Sequence, residues 1–352
     1  MRVGRPRSQA SQLAVRPHRF RPPIDPVRWQ PPPSRALPGN ATTSGELHVV
    51  ALSGNAPEDV VADAAGAIWT GTDDGSIWQI DPDGSPRRVA NTGGRPLGLA
   101  ISRDGRVLIC DSHRGLLRLD PDSGNIEELV IDVGGRPLRF CSNVVESRSG
   151  IMYFTQSTER FDVEHYKGAY LEARWDGALY RRDIDGTVTV LADGLAFANG
   201  VALTPDESAV VVAETARRRV SRYPLRGSGV GAPVPLIENL PGYPDNISAA
   251  PDGAIWVAMA GDRNRIGEWL QPRAPMLRRL LWRLPYRWLP DPTPTVWVIA
   301  IDSDDGRVRR QVRTRDRRFA SVTGVVERDG RLWLGCIGSP AVAWLTLREP
   351  LS

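Results

Sequence analysis

The chain has 352 residues, 41% of them hydrophobic and 24% charged, which is a globular balance and not that of a disordered or membrane-embedded polypeptide. No apolar run approaches the ~18 residues needed to span a bilayer. The net charge of +4 is uneven: residues 1–35 carry a balance of +7, which leaves −3 for the rest and no basic face for nucleic acid.

In chain order, residues 1–40 are rich in Pro and Arg, with PPP at 31–33, and read as a tail or an extended strap over the domain. They hold no apolar segment of the secretory type, so the expected location is cytoplasmic. The domain proper is expected over residues 41–352. From about residue 46 one phrase recurs: apolar stretch, D-G-type turn, apolar stretch, further turn and strand. It runs VVADAAGAIWTGTDDGSIWQID (60–81), LAISRDGRVLICDSHRGLLRLD (99–120) and VVESRSGIMYFTQS (144–157) with GALYRRD (177–183). It returns as VALTPDESAVVVAETARRRVSRY (201–223), ISAAPDGAIWVAMAG (247–261) with VWVIAID (296–302), and GVVERDGRLWLGCIGSPAVAWLTL (324–347).

The turn glycines Gly66, Gly105 and Gly150 are 39 and 45 residues apart, the period of a four-stranded propeller blade. The fold class is therefore all-β, a six-bladed β-propeller with four-stranded blades. ELHVVAL (46–52) fits an outer strand that closes the ring against the last blade. Trp69, Trp78, Trp256, Trp297 and Trp333 recur at like positions and serve blade packing. Cys110, Cys141 and Cys336 are too few and too scattered for a disulfide framework or a zinc cage, and read as buried free thiols.

The innermost strand of each blade opens at the top of the channel. The residues opening these strands are Glu58 in blade one, Asn143 in blade three, Asn199 in blade four, and Asp245 with Asn246 in blade five. Blade six offers Thr323–Gly324. Carboxylates and amides converging in a channel need a cationic partner, and hard oxygen donors without His or Cys suit one divalent metal, Ca²⁺.

Two connections on the top face are long, about 158–175 and 261–295. The second contains RAPMLRRLLWRLPYRWLP, and residues 263–290 hold seven Arg against one Glu. Leucines at 3–4 spacing predict a short amphipathic helix ending before Pro285. The expectation is a helical lid in blade five, with Leu277, Leu280, Leu281, Leu284 and Trp282 lining the metal pocket. The same segment, 273–290, is also the place for peripheral contact with an anionic membrane.

The strings RPLGLAIS, LRFCSNVVES, GLAFANGVAL, VVAETARRRVSRY and NLPGYPDNIS resemble the strictosidine-synthase-like branch of the SMP-30/gluconolactonase/paraoxonase propellers over roughly residues 46–347. The resemblance implies a calcium-dependent six-bladed propeller that hydrolyses lactones or esters, with Glu58, Asn143, Asn199 and Asp245 as metal ligands and Asn246 adjoining. Thr323 stands where strictosidine synthase carries its catalytic Glu, which disfavours a carbon–nitrogen lyase. Cys141 stands where the gluconolactonase branch carries a sugar-binding Arg, which disfavours a sugar lactone.

The expected function is calcium-dependent hydrolysis of a small apolar ester or lactone. Asp245 is the first candidate general base, and His113, in the loop DSHRG of blade two, the second. The competing reading is a non-catalytic propeller that binds a ligand or a protein.

Overall fold

The computed structural model describes residues 20–38, 46–273 and 275–347. Blade one comprises Val60–Ala62, Ile68–Gly71, Ser76–Ile80 and Pro86–Asn91. Blade two comprises Pro96–Ile101, Val107–Asp111, Gly115–Leu119 and Ile126–Val130. Blade three comprises Cys141–Glu146, Met152–Gln156, Gly177–Arg182 and Val188–Leu195. Blade four comprises Ala198–Leu203, Ala209–Glu214, Arg219–Arg226 and Val234–Ile237, and its third strand also pairs with a two-residue strand, Gly229–Val230. Blade five comprises Gly242–Ala249, Ala254–Asp262, Val296–Asp302 and Val308–Thr314. Blade six comprises Val322–Arg328, Arg331–Cys336 and Ala341–Thr346, and its fourth, outer strand is His48–Ala51 from the start of the domain.

Each innermost strand packs against the innermost strands of both neighbouring blades, and the series closes from blade six back to blade one. The six-bladed propeller is thus formed, and the ring is closed by pairing of its first and last segments. The register His48↔Trp344 stacks the two rings 4.0 Å apart.

The repeated phrase has a local cause. The first hairpin of each blade turns back through a residue at positive φ, supplied by Gly66, Gly105, Gly150 and Gly253 at 81–88°. Blade four lacks the glycine and uses Glu207 at φ 55°, with the same pair of turn hydrogen bonds to Thr204 and Ala209.

Alternating apolar residues face the neighbouring blades and make most of the core between them. Trp256 and Trp297 are fully buried. Trp256 also donates through Nε1 to Glu327 Oε2 at 2.7 Å, tying blade five to blade six. Each such buried side chain contributes about 1.5–3 kcal/mol. Cys110, Cys141 and Cys336 are buried free thiols.

The two long connections stand together over one end of the channel. The blade-three connection carries a 3-10 turn, Val163–His165, and helix α1, Lys167–Glu172. The blade-five connection carries α2, Arg265–Leu270, then α3, Pro275–Trp282, and a 3-10 turn, Tyr286–Trp288. Asn264 caps α2 by accepting from Gly267 N at 2.8 Å. Proline opens α3, where its missing N–H costs nothing, and Pro285 prevents continuation.

Residues 20–38 run extended beneath these helices. Their backbone meets Glu172 O through Val27 N, Gln271 O through Trp29 N and Asn239 O through Arg35 N. Of the segment 1–40, residues 1–19 and 39–40 lie outside the described residues.

The lid helix is turned opposite to the orientation expected from its leucines. Leu277, Leu280 and Leu284 are 40–54% exposed, and only Leu281 and Trp282 point into the molecule. The inward position is taken by Arg278, fully buried, whose guanidinium donates to Leu171 O at 2.8 Å and Val27 O at 2.5 Å. A buried carbonyl needs a donor more than a half-covered leucine needs burial, so Arg278 sets the rotation of the helix.

Candidate functional site

The site begins with an irregularity shared by the inner strands. In five blades the pairing of the first two strands slips at the channel mouth: between Pro96 and Leu99, Cys141 and Val144, Ala198 and Val201, Pro244 and Ile247, and Val322 and Gly324. Such a bulge presents two successive residues where a regular strand presents one. The channel mouth therefore has two levels.

The upper level is Glu58, Leu97, Ser142, Asn199, Asp245 and Thr323. The level below is Asp59, Gly98, Asn143, Gly200, Asn246 and Gly324. A Cβ on Gly98 would come within 2.6 Å of the Asn143 backbone, and one on Gly200 within 2.3 Å of Ile247 N. Glycines thus alternate with polar side chains so that six inner strands can close.

In the upper level, Asn199 Nδ2 donates to Asp245 Oδ1 at 2.5 Å, and Asn199 Oδ1 accepts from Ser142 Oγ at 3.1 Å. Arg95 lies 3.6 Å from Glu58 Oε2, and Thr323 Oγ1 donates to Glu58 O at 2.7 Å. In the lower level, Asn143 Nδ2 donates to Asp59 Oδ2 at 3.1 Å and to Asn246 Oδ1 at 3.0 Å, while Asn143 Oδ1 accepts from Val201 N. Asn143 and Asn246 thus bond to each other, while Asn199 bonds to Asp245 and Ser142.

The electrostatics of this cluster call for a cation. Burial pushes the Asp245 carboxyl well above its ordinary range, and the charges of Glu58 and then Asp59 push it further, against the hydrogen bond from Asn199. Burial likewise raises Glu58, with Arg95 opposing. Asp59 is raised to about 7 by burial, against the amides of Leu99 and Val60. Of these three buried acids only Glu58 has a guanidinium beside it, that of Arg95 at 3.6 Å. Among the described residues no group of three His, Cys, Asp or Glu side chains is arranged to hold a metal, so a divalent cation offsetting this charge would draw on the oxygens of Glu58, Asp245 and the Asn199 amide. Asn246 Nδ2 is buried with no hydrogen-bond partner.

Glu58, Asn199, Asp245 and Thr323 lie at one end of a cavity of about 690 Å³. Its walls include Phe140, Phe197, Tyr170, Tyr243, Leu171 and Leu289. The lid contribution comes from α1, α2 and residues 289–292, while Leu277, Leu280, Leu281, Leu284 and Trp282 do not line it. Phe140, two residues before Ser142, faces the cavity; Cys141 is buried in the blade core and does not.

His113 stands in the cavity wall with Nε2 2.8 Å from Glu164 Oε1. Burial opposes its charged form, but Glu164, then Asp111 and Asp162, outweigh burial and raise its pKa. Glu164 thus favours the charged form of His113. Asp111 fixes both flanks: its Oδ1 accepts from Arg95 N at 3.0 Å and His113 N at 2.9 Å.

The sequence reading missed Asp59, Ser142, Arg95 and the pair Lys167–Asp291, which meets at 2.5 Å in the cavity wall. Asp59 and Ser142 had a signal, since each adjoins a ring residue in a repeat that alternates with glycine. Lys167 had none.

A sequence model of the SMP-30/gluconolactonase/LRE-like region matches residues 68–267, and one of the strictosidine synthase-like N-terminal region matches residues 45–80. The chain is 32% identical over 317 residues to the adipocyte plasma membrane-associated protein of Salmo salar, covering 83% of this chain and 76% of that one. It is 31% identical over 291 residues to protein strictosidine synthase-like 6 of Arabidopsis thaliana, covering 80% and 76%.

Among solved structures, a gluconolactonase from Xanthomonas campestris superposes with a TM-score of 0.65 at 18% identity, over 94% of this chain and 99% of that one. The calcium-binding protein regucalcin from Agrobacterium tumefaciens superposes at 0.58 and 16% identity, over 85% and 97%. These likenesses show the fold.

The cytoplasmic location expected from the N-terminal residues does not stand. Relatives from fish, rodents and human alike bear the name plasma membrane-associated protein. Among the described residues no helix is long and apolar enough to cross a membrane. From its inner-strand residues to its full-length relatives, the chain belongs to the SMP-30/gluconolactonase/LRE-like family, in the strictosidine-synthase-like branch.

Proposed function

We propose that this protein is a calcium-dependent hydrolase of a small apolar ester or lactone. The observation that carries the reading is the meeting of Glu58, Asn199 and Asp245 at one end of a largely aromatic and aliphatic cavity. Membership of a family that includes gluconolactonases supports a lactonase-type hydrolase.

Glu58, Asn199 and Asp245 would hold the ion, with Ser142 Oγ beside the Asn199 oxygen. When bound, Ca²⁺ supplies Lewis-acid polarisation of a carbonyl. The remaining work falls to the chain itself. Phe140, Phe197, Tyr170 and Leu289 bind the apolar part of the substrate and displace water from it. Asp245, oriented by the amide of Asn199, is the proton acceptor for a water entering the cavity. His113 is a poor base because Glu164 holds its proton, and it serves instead as a charged donor in the wall. Phe140 and the buried Cys141 offer no cation at their position, and the wall cations Arg95, Lys167 and Arg218 are each paired with an acid, which favours apolar substrates.

Thr323 has no titratable group, and its hydroxyl is directed to the Glu58 carbonyl, so nothing at that position supports a lyase. The test is a panel of aryl esters and lactones assayed with Ca²⁺ and with chelator. Turnover that requires Ca²⁺ and falls with polar substrates supports the proposal. Turnover indifferent to chelator, or none on any ester or lactone, rejects it.

A further inference from the structure

The outer face of the blade-five insertion is apolar where a soluble surface should be polar. Met276, Leu277 and Leu280 of α3 and Leu284 just past its end are 40–61% exposed, and Trp269 of α2 and Trp288 of the following turn are 52% and 62% exposed. Large exposed apolar patches rimmed by polar residues mark interaction sites. On the helical wheel Met276 and Leu280 point away from Arg278, the side chain that fixes α3 to α1 and the strap. The patch is therefore held outward by a buried anchor.

Its rim is basic. Arg273, Arg279, Arg283 and Arg287 are all exposed, and Arg273 lies 4.0 Å over the Trp269 ring. Next to the patch, Arg21, Arg279, Arg283 and Trp282 line a separate depression of about 410 Å³ between α3 and the strap. Arg21 is held there by Trp282 O and Leu284 O, both at 2.8 Å. The residues before Phe20 hold five further arginines and no acid.

From this surface we infer that the protein docks on an anionic lipid bilayer through the outer face of α3. Leucines and tryptophans enter the headgroup boundary, while arginines around them meet lipid phosphates, the charge pattern of an interfacial helix. A second copy of the chain would carry the same positive charge on the same face and be repelled by it. The inference is independent of the hydrolase reading, because none of these outward side chains lines the catalytic cavity.

The test uses the full chain and sedimentation with vesicles of phosphatidylcholine, with and without phosphatidylserine. The native protein should bind the phosphatidylserine vesicles, and binding should weaken by about tenfold or more in high salt or without the anionic lipid. Leu280→Ser with Leu284→Ser, and separately Arg283→Glu with Arg287→Glu, should each release it without lowering the melting temperature, because these side chains are exposed. Failure of the native chain to bind overturns the inference, as do variants that bind as tightly as the native chain. A native dimer that the leucine variants convert to monomer also overturns it, since a second copy would then cover the patch.

Discussion

The channel mouth and the outer face of α3 depart from the usual distribution of polarity in opposite directions. At the mouth, Glu58, Asp59 and Asp245 are buried among blades. On α3 and just past it, Leu277, Leu280 and Leu284 are left to solvent. Burial of like charges is costly, and so is exposure of leucine, so each region stores an unmet demand. The mouth is built by rigid inner strands and calls for a small cation. The helix is built on a connection and calls for an extended apolar, anionic surface. A buried charge group and an exposed apolar group thus predict ligands of different size and kind within one molecule.

The largest expected effect breaks the mouth. Asp245→Asn should lower turnover of any ester or lactone by about 10²–10⁴, as loss of a positioned base does. In chelator its melting temperature should equal or exceed that of the native chain, because one of three repelling acids has gone. Full turnover would remove Asp245 from the mechanism.

Next is the cation. Ca²⁺ at about a hundredfold excess over its dissociation constant should stabilise the native chain by ~2.7 kcal/mol, read as a rise in melting temperature. Glu58→Gln should abolish most of that rise. An equal rise in the variant would place the ion elsewhere.

On the lid side, Arg278→Met should cost about 1–3 kcal/mol by leaving the carbonyls of Leu171 and Val27 without their donor. Chemical denaturation measures this. An unchanged midpoint would show that Arg278 does not anchor α3.

The smallest effect is the pair His113–Glu164. His113 is raised from 6.5, so its contribution is present below that value and lost as pH rises through the raised one. Glu164 is lowered from 4.5, by His113 against burial, so its contribution is present above 4.5 and lost as pH falls. His113→Gln should therefore destabilise most between about pH 4.5 and 6.5 and least at high pH. A loss that is flat across pH would mean the pair is not ionic.

Much of this was legible in the sequence, for identifiable reasons. Propeller blades are local units, so a turn glycine such as Gly105 and the strands around it report their blade directly. Even ring closure by residues 48–51 could be read from one unassigned apolar strand. Glu58, Asn199 and Asp245 could be picked out because each lies at or near the start of an inner strand, at a similar phase of the repeat. What the sequence did not show is how the Asn143 amide is used, since the bulge between Cys141 and Val144 turns it to Asp59, Asn246 and the Val201 amide, 58 to 103 residues away. The orientation of α3 was hidden for another reason. Its period shows that one face is apolar, but Arg278 turns that face outward through carbonyls 107 and 251 residues away. Long-range partners of this kind leave no pattern in the local sequence.

The most direct measurement is titration of Ca²⁺ into the chelator-treated full chain by calorimetry, for the native protein, Glu58→Gln and Asp245→Asn. The account predicts saturable binding of Ca²⁺ by the native chain and loss of that binding in both variants. Absence of binding in the native chain, or binding that both variants retain unchanged, would contradict a metal centre at the channel mouth.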